Sequence, residues 1–128
     1  MAVSAEFCRY VLEQLHSLGR VDSRRMFGAV GLYCDGGFFG LIAADVLYFR
    51  VGDANRRDYE ARGMSRFRPF RDRPQLSLRY YEVPADVLED AEECAAWAQR
   101  SLIVAHSQMN GRPRRAARSK RRARAARS

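Results

Sequence analysis

Apolar residues first recur at helical spacing. Phe7, Val11, Leu15 and Leu18 fall at i, i+4, i+8 and i+11, so one face of a helix over Ser4–Leu18 is apolar. Ser4 can cap its start and Gly19 can follow its end. From Arg24 to Val51 the period shortens to two. Met26-Phe27-Gly28 and Val30-Gly31-Leu32-Tyr33 read as one bent strand, with Gly28 and Gly31 marking a bulge or a close backbone approach. Asp35-Gly36-Gly37 is a hairpin turn, because glycine reaches positive φ at little cost. Phe38–Ile42 is the second strand, Ala44-Asp45 a short turn, and Val46–Val51 the third strand, with Leu47, Phe49 and Val51 on one face. Loops this short join antiparallel strands only.

The second half repeats the alternation. Asp53 is placed to cap a short, mostly polar helix that ends near Gly63. Ser65–Phe70 reads as an edge strand, since Pro69 cannot donate to a ladder, and Gln75–Val83 as the fifth strand. Pro84 and Asp86 suit the first turn of a long final helix, whose buried stripe runs through Val87, Ala91, Cys94, Ala98, Leu102 and Ala105 to a stop at Asn110-Gly111. The expected fold is α+β: a two-layer domain with an antiparallel five-stranded sheet, in the order α-β3-α-β2-α.

Charge divides the chain in two. The net charge is +8, from 23 basic and 15 acidic residues. Nine of the cations (Arg112, Arg114, Arg115, Arg118, Lys120, Arg121, Arg122, Arg124 and Arg127) lie in the last 17 residues, which contain no acid. Positions 1–111 therefore keep 14 basic and 15 acidic residues, a net of −1. The expected division is a folded domain over 1–111 and an Arg/Ala-rich tail over 112–128. The tail lacks the apolar residues to offset the entropy of ordering and is expected to be disordered. Its guanidiniums suit phosphate and would attract DNA or RNA without sequence preference.

Three cysteines with no CxxC pair argue against a disulfide framework and for a reducing, cytoplasmic setting. No apolar run reaches membrane-spanning length. Ser23-Arg24-Arg25-Met26-Phe27 has the look of a twin-arginine export signal, but the stretch after it carries Asp35 and a turn and has no cleavage site.

The runs Arg25-Met26-Phe27-Gly28, Gly31-Leu32-Tyr33, Asp35-Gly36, Phe39-Gly40-Leu41-Ile42 and Leu47-Tyr48-Phe49-Arg50 resemble the N-terminal domain of TfoX/Sxy proteins. So do Phe67 with Phe70, Tyr80-Tyr81-Glu82-Val83-Pro84, and the acidic final helix bearing Trp97. The likeness covers residues 4–106. It implies a fold similar to that of secretion chaperones and a part in regulating natural competence genes in bacteria, alongside a transcription regulator of the cyclic-AMP receptor type. Full-length members carry a second, helical C-terminal domain where this chain has its basic tail. The motif residues Arg25, Met26, Phe27, Gly28, Gly31 and Tyr33 are read as structural.

Nothing in the sequence assembles a catalytic set, and none is implied by the resemblance; no cofactor or metal is expected. His16 and His106 have no partner at ligand spacing. Arg66, Arg68, Arg71 and Arg73 flank Phe67 and Phe70, a pattern that can stack single-stranded nucleic acid, but an edge strand with arginines outward and phenylalanines inward explains it better. Arg24-Arg25 beside Gly28 read as solvent-facing strand residues in preference to an anion nest. Asp86, Glu89, Asp90, Glu92 and Glu93 favour a helix N-terminus over a metal site. The leading expectation is a non-enzymatic regulatory or interaction protein with an unidentified protein partner. The alternative is a chaperone-like homodimer that binds protein without functional DNA contact.

Overall fold

A computed structural model describes residues 3–26, 28–67 and 79–111, with residue 26 and residues 108–111 described by backbone alone. Ser4 starts helix α1 (Ala5–Gln14): its Oγ accepts from Phe7 N at 3.1 Å, satisfying one of the unpaired amides of the first turn. Val11 and Leu15 are fully buried, while Phe7 and Leu18 pack at the core's margin. The expected helix to Leu18 stops at Gln14 and tightens into a 3-10 turn over His16–Leu18 before Gly19.

Five strands follow one another in a meander, β1 (Asp22–Met26), β2 (Ala29–Cys34), β3 (Gly37–Ala43), β4 (Val46–Arg50) and β5 (Tyr80–Glu82), every neighbouring pair antiparallel. The α+β class and the five-stranded antiparallel sheet are as expected, but the strands are divided differently. The single bent strand expected across Met26–Tyr33 is two strands, because Gly28 takes φ +79° and Met26 pairs with Ala29. A bulge is present, but on β3. Leu32 pairs with Gly40 and Tyr33 with Phe38, which leaves Phe39 as the extra residue, turned into the core.

After the sheet's fourth strand comes α2 (Arg56–Glu60). Asp53 does not cap it. Asn55 occupies that position, and Asp53 instead holds Arg56 Nη1 at 2.8 Å. Asn55 is buried because its amide bridges the turn: Oδ1 accepts from Gly52 N at 2.8 Å and Nδ2 donates to Arg50 O at 3.1 Å. The beginning of the expected edge strand is where it was placed. Glu82 N donates to Ser65 O and Phe67 N to Tyr80 O, both at 2.9 Å, so residues 65–67 run along the outer side of β5. The rest of that strand and the start of the expected fifth strand fall in 68–78, outside the described residues.

The long final helix is two helices, α3 (Ala85–Glu89) and α4 (Ala91–Gly111). Asp90 breaks them by taking extended geometry, and its Oδ1 accepts from Glu92 N and Glu93 N at 3.1 and 3.2 Å, capping α4. Helices α1, α3 and α4 cover one face of the sheet, where Val11, Leu32, Phe39, Phe49, Cys94 and Ala98 are fully enclosed. Burying the Val, Leu and Phe side chains among them stabilises by roughly 1.5–3 kcal/mol each. The opposite face has its own smaller cluster of Ala29, Leu41, Ala43, Phe67 and Tyr80, flanked by Phe38 and Tyr48.

Candidate functional site

The expected motif residues build the first hairpin. Gly28 supplies its left-handed turn at φ +79°, and Phe27 lies outside the described residues. Arg25 is exposed on β1 and pairs in register with Val30. Arg24 stands opposite Gly31, where no side chain intervenes, and its guanidinium carbon sits 4.7 Å over the ring of Tyr33. Asp22 meets Arg20 Nε at 3.6 Å, a loose exposed pair. Arg24 and Arg25 are thus strand residues and do not form a nest around Gly28.

Tyr33 begins a line of aromatic rings across the sheet face opposite the helices. It stacks on Phe38 with centroids 4.9 Å apart and planes at 18°, and Phe38 reaches Tyr80 at 5.6 Å. Tyr48 packs on Phe67 at 4.8 Å. Arg50 Nη1 donates to Tyr80 Oη at 3.3 Å, with its guanidinium 5.9 Å over the same ring. Burial pushes the Tyr80 phenol up, against the pull of Arg50; burial and then Glu82 push Tyr48 up. Phe67, considered for base stacking, is only 3% exposed and is committed to Tyr48. Arg66 lies at the edge opposite Tyr81, while Arg68, Phe70, Arg71 and Arg73 lie outside the described residues.

A second arginine–aromatic group ties α2 to the final helices. Arg62 Nη1 donates to both carboxylate oxygens of Asp86 at 2.8 and 2.7 Å, and this bond holds the Asp86 carboxyl below its ordinary range. Arg62 and Arg100 lie 5.5 and 6.0 Å from the Trp97 ring centre, and Arg100 meets Asp58 at 3.7 Å. Beside α2 an open cleft of about 660 Å³ is lined by Glu60, Gly63, Met64, Ser65, Arg66 and Tyr81. Its polar groups converge only as far as Tyr81 Oη donating to Glu60 Oε2 at 3.4 Å. Sequence reasoning missed this cleft, since its walls come from a loop and a strand well apart in the chain.

The thiols are placed for packing. Burial pushes Cys94 up to about 12, and burial, then Asp35 and Asp22, push Cys34 up, so both stay protonated near neutrality and are poor nucleophiles. His106 Nε2 lies 3.2 Å from Asp35 O and closes the β2–β3 turn against α4; His16 is exposed. Among the described residues no three His, Cys, Asp or Glu side chains are grouped to hold a metal ion, and no helix is long and apolar enough to cross a membrane. The nine tail cations, Arg112 to Arg127, lie outside the described residues. Of the rings with a guanidinium laid over them, Tyr33 is half-buried at the surface, while Tyr80 and Trp97 are buried and belong to the packed domain.

Two comparisons bear on this arrangement. The family model described as the TfoX N-terminal domain matches residues 13–105, which takes in every described strand and most of α4 but only the last two residues of α1. The chain is also similar to the DNA transformation protein TfoX1 of Aliivibrio fischeri (strain ATCC 700601 / ES114), at 31% identity over 83 residues. That match covers 59% of this chain and 40% of the relative, so the chain spans well under two thirds of the curated protein it matches.

Proposed function

Because the chain belongs to the TfoX N-terminal domain family, we propose that it is a non-enzymatic regulatory protein of the bacterial cytoplasm. In this reading it acts by protein–protein contact, linked to competence or transcription regulation, while its tail adds non-specific attraction to nucleic acid. The observation that carries the reading is the family match across residues 13–105, together with a relative whose name attaches it to DNA transformation. The surface chemistry is compatible with it: Tyr33, stacked on Phe38 and with Arg24 laid over its ring, suits a protein partner's side chains. The partner proposed is a transcription regulator.

The tail's part rests on charge. Nine cations and no acid within 17 residues can neutralise phosphates and release their counterions. If about five to nine phosphates are engaged, affinity for duplex DNA falls with salt at a log–log slope of about −4 to −8. The deciding experiment is a pull-down from bacterial extract with the full chain at low and high salt, with and without nuclease. A transcription regulator that stays bound through nuclease, from a chain whose DNA affinity falls with salt, supports the regulatory reading. Partners that are not transcription regulators and persist through nuclease and high salt, from a chain with no salt-dependent DNA affinity, overturn it in favour of a chaperone-like protein-binding module.

A further inference from the structure

The two edges of the sheet differ. At the β5 side, residues 65–67 already lie along the edge through two main-chain hydrogen bonds. At the other side, among the described residues, β1 has β2 as its one sheet neighbour, and Asp22, Ser23, Arg24 and Arg25 are all exposed. An edge of this kind presents a row of main-chain donors and acceptors to any strand that can reach it. Charged side chains on the edge exclude most such strands, so the charges that a strand brings decide whether it pairs there.

We propose that β1 pairs antiparallel with β1 of a second copy of the chain, about a two-fold axis through Ser23, joining two five-stranded sheets into one. The charge pattern selects both the partner and the register. A two-fold axis perpendicular to a continuous sheet keeps each side chain on its own face, so opposite residues must share a face. In β1, Asp22 and Arg24 share the aromatic face, being in register with Tyr33 and Gly31, and Ser23 and Arg25 share the helix-covered face. Asp22 therefore cannot stand opposite Arg25. Among the registers that remain, one sets Arg24 against Arg24, one Asp22 against Asp22 and one Arg25 against Arg25. The register centred on Ser23 places Asp22 opposite the partner's Arg24, and the symmetry repeats that pair. It also brings the small Ser23 side chains together at the axis, where they do not crowd. Among the described residues Asp22 has only its loose 3.6 Å contact with Arg20, and Arg24 has the face of Tyr33, so the carboxylate is available to a better-placed guanidinium. A contact built on one five-residue strand is smaller than a standard stable interface, so the dimer forms in a concentration-dependent way.

Sedimentation velocity on the nuclease-treated full chain over a concentration series tests this, with circular dichroism confirming that each variant folds. Arg24→Asp and Asp22→Arg each set like charges opposite one another twice, and each is expected to weaken dimerisation by about tenfold. The double exchange D22R/R24D restores opposite charges in the same register and is expected to recover the dimer. A chain that stays monomeric at every concentration overturns the proposal. So does a dimer that survives both single substitutions, or one that the double exchange fails to restore.

Discussion

At the residue scale, backbone strain and a buried thiol each have a measurable consequence. The β3–β4 turn holds Ala44 at φ +52° and Asp45 at φ +58°. Asp45 tolerates this conformation and uses it, since Oδ1 accepts from Ser4 N at 2.8 Å and ties the start of α1 to the turn. Ala44 has no side-chain group that compensates the left-handed backbone. Ala44→Asn keeps the turn and replaces a residue that disfavours it, so stability should rise by about 0.5–1 kcal/mol, seen as a higher midpoint in chemical denaturation. Cys94 acts in the opposite direction. The fold buries the thiol in its neutral form and raises it from 9.0 to about 12, so the folded state holds this proton more tightly than the unfolded chain. The contribution is therefore complete below the ordinary thiol value and is lost as pH rises from there toward the folded value. Between about pH 8 and about pH 10 it amounts to a loss of roughly 1.4 kcal/mol. The stability difference between these two pH values should shrink by about that amount for Cys94→Ala, whatever that variant's baseline stability.

At the element scale, the break between α3 and α4 depends on a single side chain. Asp90 gives up helical geometry and in exchange satisfies two amides of the longer helix. Asp90→Ala should cost about 1 kcal/mol, within the range for lost helix caps, while Asp90→Ser or Asp90→Asn recovers most of it in thermal unfolding. The same break shows why some of the fold was legible and some was not. The α1 stripe, the Asp35-Gly36 hairpin and the alternation of Leu47, Phe49 and Val51 are local, and each is stated within a few residues. Asp90 sits in a run of acids that suits the N-terminus of one helix as well as a break between two, so its role depends on tertiary packing. Gly28 is similarly ambiguous, because a glycine inside an apolar run marks a bulge or a reversal, and only the pairing of Met26 with Ala29 decides. The candidate site was legible in part. Tyr33 and Gly31 stood out in the sequence, but the line from Tyr33 through Phe38 to Tyr80 and the cleft between Glu60 and Tyr81 are long-range contacts with no local pattern.

At the scale of the whole molecule, nine cations lie in 112–128 and the described elements in 3–111, so charge and stability are expected to be adjustable independently. Residues 1–111 carry a net of −1, so the domain by itself has little attraction for polyanions, and nine cations over 112–128 turn the chain into a strongly basic one. The ion pairs that the described residues make, Arg62–Asp86 and Arg100–Asp58 among them, lie wholly within the domain and need nothing from the tail. Replacing all nine tail cations by glutamine in the full chain should therefore leave the unfolding free energy within about 0.5 kcal/mol of the parent, the range of surface changes distant from packed features. The same variant should lose the salt-dependent part of its affinity for duplex DNA, flattening the log–log slope toward zero. Equilibrium denaturation and a DNA titration across salt, run on one preparation, check both. Unchanged DNA affinity would move the binding chemistry onto the domain, where Arg24, Arg25 and Arg66 at the sheet's edges are the cations to substitute next. A large fall in stability would mean that the tail's charge is balanced against the domain's own acids, Glu89, Asp90, Glu92 and Glu93 being the densest run of them.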